Sequence, residues 1–298
     1  MRILMGSDLY HPYLLGGGER RMYEIAIRLA KEHEVHMITR KIKGLPDYEL
    51  HQKVHVHRIF VPSGSTKLTS FIDGFRFMIG SAKKALNLRT FDIYAPQQFF
   101  PIPSFWLASK IRGKPIVVTI HDVYGKTWTQ KYGIRGSSML IFEKIMIRLP
   151  YTRIITVSNA SRKKLIAEGV PPEKIEVVPN GVDLKMFKRV KAKKSKKPRV
   201  IYLGRLVGYK HVDDLLVAFS RLKMDAELYI VGEGEEKAEL EKLAKHLGIE
   251  KKVIFTGFVD EPRKIELLKS SHLLVLPSTT EGFGISLLEA MADRKSVV

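Results

Sequence analysis

The segment STTEGFGISLLEAMA carries two carboxylates eight positions apart, Glu281 and Glu289, with Gly282 and Gly284 just after the first. Ionised carboxylates are acceptors only, so the pair suits several hydroxyl donors, such as those of a sugar and a ribose. The glycines leave backbone N–H groups open between them. Paired carboxylates also serve glycoside hydrolases, but such acids usually lack an adjacent cationic clamp. Here a clamp is present in YLGRLVGYK, where Arg205 follows Gly204 and Lys210 lies five residues on. Two cations near a helix start suit a diphosphate leaving group, with pairing to Asp213 and Asp214 as the plainer alternative. In TIHD, His121 could donate a hydrogen bond or exchange a proton, although a lone His is more often structural. In LLGGGERRMYEI, Gly16, Gly17 and Gly18 allow close backbone approach, and the helix that follows points free N–H groups at a phosphate or sugar. That triplet also fits an ordinary tight turn, and it is not a GxGxxG fingerprint.

These groups fall at the ends of predicted strands. Strands are predicted for RILMGS at 2–7, VHMIT at 35–39, VHVHRIF at 54–60, FDIYAPQ at 91–97, PIVVTIHD at 115–122 and RIITVS at 153–158. PIVVTIHD is apolar enough to be buried on both faces. Helical spacing joins Met22, Ile25, Ala26, Leu29 and Ala30, and again Phe71, Ile72, Phe75, Met78 and Ile79 within 68–88. Ser158 or Asn159 is a good N-cap for a further helix. A second series starts after residue 199, with strands VIYLG, AELYIVG, VIFTG and LLVLPS separated by helices near 211–222, 235–247 and 261–270. Such alternation implies parallel pairing in two doubly wound α/β sheets. Ligands bind beyond the carboxyl ends of such strands.

Composition narrows the classes. With 298 residues, 45% hydrophobic and 28% charged, the chain is globular and long enough for two domains. No apolar run reaches the length of a membrane span. A polar Ser-Asp interrupts MRILMGSDLYHPY where a signal peptide needs its apolar centre, so a cytoplasmic location is expected. Cysteine is absent, which excludes disulfides, Cys-ligated zinc and thiol nucleophiles. Residues 1–190 carry 31 basic and 15 acidic side chains, a net +16, against 20 and 16 in the remainder. The first domain therefore attracts anions. KRVKAKKSKKPR at 188–199 holds eight basic residues and no acid, and reads as a solvated linker.

Taken in order, GGGER, HD, TVSNAS, VVPNGVD, YLGRLVGYK, VGEG, FTGFV and EGFGISLLEAMA resemble the retaining GT-B glycosyltransferases of family 4 over Met1–Ala292. The resemblance implies a fold of two Rossmann-like domains. Residues 1–187 would bind the acceptor, 188–199 would be the basic linker, and 200–298 would bind a nucleotide-sugar donor. It further implies that Arg205 and Lys210 hold the donor diphosphate and that Glu281 lies close to the transferred sugar. Phe283 and Gly284 would be backbone donors there, and Glu289 would bind ribose hydroxyls. His121 would meet the sugar's edge, Gly17 and Gly18 would face the phosphates, and Phe258 and Val259 would cradle the nucleobase. No metal and no cofactor beyond the donor is implied. The lack of a DxD pair at a strand end agrees, since Asp213 and Asp214 fall inside a predicted helix. Transfer would proceed on one face with retention, the leaving charge being stabilised electrostatically.

The pattern fails after Ala292. DRKSVV is what GAT CGG AAG AGC GTC GTG encodes, a sequencing-library adapter, so Ala292 is expected to be the last native residue. The chain is then a fragment with an incomplete second domain and an uncovered edge near Leu273–Pro277, expected to be inactive and aggregation-prone. The expected acceptor is a glycan or a lipid-linked sugar of cell-envelope polysaccharide synthesis. Peripheral contact with an anionic membrane at its inner face is expected from the charge and from SSMLIFEKIMIRLPY at 137–151. There Met139, Ile141, Phe142, Ile145, Met146 and Leu149 exceed one buried face. The rival readings are a GT-B sugar-nucleotide epimerase and a basic nucleic-acid-binding protein. No recognition helix or RRM-like motif is present, so a nucleic-acid partner is not expected.

Overall fold

Apolar β-rich runs and 3.6-periodic helices alternate as the sequence predicts, and the strands pair in parallel with one exception, the antiparallel pair of Tyr48–His51 with Val54–Ile59. The computed structural model describes residues 1–64 and 71–298, and divides into units Met1–Asn180 and Gly181–Val298. Unit 1 runs β1 (Arg2–Gly6), α1 (Gly17–Leu29), β2 (Glu34–Arg40), β3 (Tyr48–His51), β4 (Val54–Ile59), α2 (Phe71–Asn87) and β5 (Ile93–Pro96). It continues through α3 (Ile102–Ile111), β6 (Val117–Thr119), α4 (Thr127–Tyr132), α5 (Ile134–Arg148), β7 (Arg153–Thr156), α6 (Asn159–Ala167) and β8 (Ile175–Val177). Residues 68–70 of the helix predicted over 68–88, and the side chains of Phe71 and Ile72, lie outside the described residues.

The strand order is β3-β4-β2-β1-β5, continued by β6-β7-β8 through bridges Tyr94 to Ile116 and Gln97 to Thr119. Period-two alternation sends the side chains of β1 to opposite layers. Leu4 packs with Ile38, Phe77 and Phe105, whereas Ile3 and Met5 pack with Met22, Ala26 and Val35. Gly6 ends β1 because a Cβ there would lie 2.5 Å from the Phe105 ring.

Two expectations are corrected here. The strand over 115–122 is not buried on both faces, because Val117 and Thr119 are half-exposed and line a cavity of about 90 Å³ with Met5, Met22 and Ile25. The sequence also gave no sign of β3, which pairs antiparallel with β4 through a turn at Gln52 and Lys53. Both turn residues have positive φ, 49° and 66°, without the Gly or Asn that usually marks such a turn.

Unit 2 runs α7 (Leu184–Arg189), β9 (Arg199–Leu203), α8 (Val212–Ser220), β10 (Glu227–Val231), α9 (Lys237–His246) and β11 (Val253–Gly257). It ends with α10 (Glu261–Ser270), β12 (Leu273–Leu274), α11 (Ile285–Ala292) and β13 (Ser296–Val297). Its sheet is parallel in the order β11-β10-β9-β12-β13. The division at 180/181 precedes the expected 187/188 because α7 already belongs to this core: Phe187 packs with Ile201, Ile265 and Leu268. The basic segment also lies on this unit, where Lys194 Nζ donates to Ser271 O at 2.6 Å and Ser195 N to Ser270 O at 2.9 Å. The edge expected to be uncovered near Leu273–Pro277 is covered. Ser296 and Val297 pair with Leu273 and Leu274, and Leu276 N donates to Val298 O at 2.7 Å. The pairing continues the apolar pattern of β12 and moves the sheet edge out to β13.

Strand order reverses at β1/β5 in unit 1 and at β9/β12 in unit 2, so the carboxyl ends of those strands are where each unit should bind ligand. No helix among the described residues is long and apolar enough to cross a membrane.

A histidine cluster spans β2 and β4. His36 Nδ1 and His57 Nε2 share a hydrogen bond of 2.9 Å, and the His36 and His55 rings stack with centroids 4.5 Å apart. Burial, with added repulsion from His36, Lys84 and His55, pushes His57 down to about 4 from its ordinary 6.5. The native state therefore binds fewer protons than the unfolded chain between those values. Stability should hold above pH ~6.5 and fall as pH drops toward ~4. Thermal midpoints measured from pH 7 to pH 5 should fall, and His57→Leu should flatten the fall. An equal fall in the variant would show that His57 is not its source.

Candidate functional site

In unit 2 the site is built on the chain leaving β9. Tyr202 is buried and its hydroxyl donates to Arg205 O at 2.8 Å, which pins the turn. The VGEG turn after β10 lies directly against it, since a Cβ on Gly232 would sit 2.0 Å from Gly204 O and one on Gly234 2.0 Å from Leu206 O. Two backbone bonds complete the contact, Leu206 N to Glu233 O at 3.0 Å and Glu236 N to Leu206 O at 3.2 Å. With its backbone so fixed, Arg205 is exposed and donates to Tyr209 OH at 2.7 Å.

Lys210 ends a 3₁₀ turn at Gly208–Lys210, and the next residue, His211, takes the left-handed conformation at φ 49°. The Lys210 ammonium is buried and pairs with the Glu281 carboxylate. Thr279 N donates to Tyr209 O at 3.1 Å, tying the loop after β12 to the loop after β9. Gly284, at φ +77°, then opens α11 in a conformation that favours glycine. Glu289 on α11 is buried, and its Oε1 accepts from Lys264 Nζ of α10 at 2.6 Å. Phe283 is half-buried in the turn before Gly284. After β11, Phe258 is 62% exposed, while Val259 packs with Leu287 and Ala290 of α11.

The two carboxylates are thus each held by a lysine. Arg205 and Lys210 put two cations on one loop at the carboxyl end of β9, which suits a diphosphate. Asp214 pairs with His211 Nδ1 at 3.3 Å. His211, Asp213 and Asp214 are the one group among the described residues with donor atoms close enough to share a metal ion, and both acids are exposed on the first turn of α8.

In unit 1, Gly17 and Gly18 begin α1, and a Cβ on Gly18 would lie 3.1 Å from both His121 Nε2 and Gln98 Nε2. The glycine therefore lets the imidazole lie against the helix start. His121 Nε2 bonds Gln97 Oε1 at 2.9 Å, Gln97 Nε2 donates to Ser7 Oγ at 2.6 Å, and Ser7 Oγ donates to Leu9 O at 2.7 Å. In this chain of donors Nε2 carries the His121 proton and Nδ1 is the acceptor. Burial, assisted by the Arg21 guanidinium, brings His121 down to about 4, so the ring is neutral at neutral pH.

The loop after His121 is fixed from below. Asp122 pairs with Lys164 Nζ at 2.8 Å. Glu143 of α5 accepts from Tyr124 N at 2.9 Å and Gly125 N at 2.7 Å, and burial raises its carboxyl above the usual range. Gln97, Glu143 and Lys264 do not stand out by residue type or spacing in the sequence. Gln97 ends a predicted strand, which was the one available signal. The other two lie far in sequence from the groups they hold.

The family description "Glycosyltransferase Family 4" matches residues 15–186, and "Glycosyl transferases group 1" matches residues 185–298. An uncharacterized glycosyltransferase of Methanocaldococcus jannaschii is 27% identical over 317 residues, covering 100% of this chain and 80% of that protein. The Escherichia coli enzyme UDP-Gal:alpha-D-GlcNAc-diphosphoundecaprenol alpha-1,3-galactosyltransferase is 27% identical over 299 residues, covering 94% of this chain and 74% of that protein. Among solved structures, sucrose-phosphate synthase from Thermosynechococcus elongatus superposes with a TM-score of 0.81 at 19% identity, covering 99% of this chain and 80% of that one.

The glycine packing generates a test. Gly234→Ala forces a Cβ onto the Leu206 carbonyl, which is backbone and cannot swing away, so a loss of ~1–3 kcal/mol is expected. Gly181→Ala meets nothing within 4 Å and serves as the control. Chemical denaturation checks both, and equal stability of the two variants would refute the packing account.

Proposed function

The chain belongs to glycosyltransferase family 4 and is a group 1 glycosyltransferase of the GT-B fold, and from that premise we propose that it moves a sugar from a nucleotide-sugar donor to a glycan or lipid-linked acceptor with retention of anomeric configuration. The observation that carries the donor assignment is the cationic pair on one loop, with Lys210 held against Glu281 at the reversal point of the unit 2 sheet. The E. coli relative, named for a UDP-sugar donor and a diphosphoundecaprenol acceptor, supports the same class of substrates.

As the bond from sugar to diphosphate breaks and an acceptor hydroxyl oxygen bonds to the same carbon, negative charge builds on the departing phosphate oxygens, one of which takes up the hydroxyl proton. Arg205 and Lys210 are already fixed as donors and stabilise that charge without reorganising. No covalent adduct with the protein is required. Glu281 lies beside the sugar, the Phe283–Gly284 backbone supplies further donors, and Glu289 accepts from ribose hydroxyls. Phe258 and Val259 flank the base. Unit 1 receives the acceptor, where Gly17 and Gly18 present the start of α1 and neutral His121 offers hydrogen bonding to substrate hydroxyls. The two cations supply the charge that a metal ion supplies in other transferases, so the reaction needs none.

Peripheral contact with an anionic membrane belongs to the same reading. It is supported by α5, on which Ile141 and Ile145 are exposed beside Lys144 and Arg148.

The test is nucleoside diphosphate release from a panel of UDP-, GDP- and ADP-sugars with candidate acceptors. The expectation of an inactive chain rested on the uncovered edge near Leu273–Pro277, which β13 covers, so one donor class should turn over, and Arg205→Met and Lys210→Met should each lower kcat by about 10²–10³-fold. EDTA should leave the rate unchanged. Loss of activity in EDTA that magnesium restores would contradict the metal-free mechanism, and full activity in both variants would contradict the donor site.

A further inference from the structure

Glu281 and Glu289 each meet a lysine, but the two lysines differ in origin. Lys210 comes from the loop already given to the diphosphate. Lys264 comes from α10, and nothing in the proposed chemistry uses it. Its Nζ lies 2.6 Å from Glu289 Oε1 and 2.8 Å from Glu261 Oε1. The side chains of Lys264 and Glu289 are only 14% and 10% exposed, so the pair is largely removed from water. In such surroundings a carboxylate without a cation is costly, and its charge would also repel an incoming diphosphate.

The helix that carries Lys264 is firmly placed. Asp260 caps it by accepting from Arg263 N at 2.9 Å. Ile265, Leu267 and Leu268 are buried in the cluster that also holds Ala290, one residue beyond Glu289. Lys264 therefore reaches Glu289 from a rigid element and fixes the direction in which one carboxylate oxygen points. Hydroxyl donors need such an acceptor ionised and aimed.

We propose that Lys264 is a positioning residue for nucleotide recognition, holding Glu289 ionised and oriented toward the ribose hydroxyls of the donor. The proposal rests on the reading of Glu289 as the ribose carboxylate. Lys264 acts through Glu289 and makes discrimination between ribose and deoxyribose depend on a residue of a neighbouring helix.

The experiment is calorimetric titration of the whole chain with UDP, GDP and ADP and with their 2′-deoxy and 3′-deoxy counterparts. The quantity read is the ribo-to-deoxyribo affinity ratio for the nucleotide that binds most tightly. In the wild-type protein this ratio should be about tenfold or more, as for a hydrogen bond to a charged group. Glu289→Gln and Lys264→Met should each bring it close to one, and Lys264→Arg should restore most of it. Circular dichroism establishes that the variants are folded, and Lys264→Gln replaces Lys264→Met if the latter is not. A merely structural lysine would change stability and leave the ratio alone. An unchanged ratio in folded Lys264→Met or Lys264→Gln, with a collapsed ratio in Glu289→Gln, overturns the role of Lys264 and leaves the ribose reading standing. An unchanged ratio in Glu289→Gln overturns the ribose reading and the proposal with it.

Discussion

The ion pair between the buried Lys210 ammonium and the partly exposed Glu281 carboxylate is the constraint on which the unit 2 site depends. A buried ammonium is tolerated only with a close partner, so the pair holds the loops after β9 and β12 together. The rest of the local structure serves that closure. The 3₁₀ turn and left-handed His211 bring Lys210 inward, Tyr209 O receives Thr279 N, and Gly232 and Gly234 let the VGEG turn press on the Arg205 backbone. Gly284 then starts α11 where Glu289 can reach Lys264. The result is a loop with two cations, Arg205 and Lys210, facing two carboxylates, Glu281 and Glu289, that each already have a lysine partner. A diphosphate can approach it without meeting unopposed negative charge.

Unit 1 uses neutral groups instead. The Ser7–Gln97–His121 sequence of hydrogen bonds points one way and fixes which imidazole nitrogen carries the proton. Glu143 and the Asp122–Lys164 pair hold the loop that follows. Low pKa and fixed orientation make His121 a hydrogen-bonding group at neutral pH rather than a charge. The neutral ring suits hydroxyls, and the Arg21 guanidinium that helps to lower its pKa donates to Pro179 O and Asn180 Oδ1.

Much of this was legible in the sequence because strands, helices and strand-end residues follow local rules. Alternation pointed to every strand except β3, β8 and β13, and the glycines and charges at strand ends singled out Gly18, His121, Arg205, Lys210, Glu281 and Glu289. What was not legible is long-range. Lys264 lies 25 residues before Glu289, and Glu143 lies 18 residues after Gly125, so no spacing rule connects them. The β3 hairpin was hidden because Gln52 and Lys53 adopt positive φ without the usual residue types. The half-exposure of Val117 and Thr119 depends on which helices cover each face, which an apolar run does not encode. The pairing of Ser296 and Val297 on β12 is likewise a tertiary outcome that the abrupt change in pattern after Ala292 concealed.

The central claim is that the charges at the carboxyl end of β9 hold the donor through its phosphates. Its most direct test is the affinity difference between a nucleoside diphosphate and its parent nucleoside, measured for the wild-type chain and for Arg205→Met and Lys210→Met. The wild-type protein should favour the diphosphate by about 100-fold, and each variant should lose about tenfold of that preference while binding the nucleoside as before. An undiminished preference for the diphosphate in both variants, or an equal loss for diphosphate and nucleoside, would contradict the account.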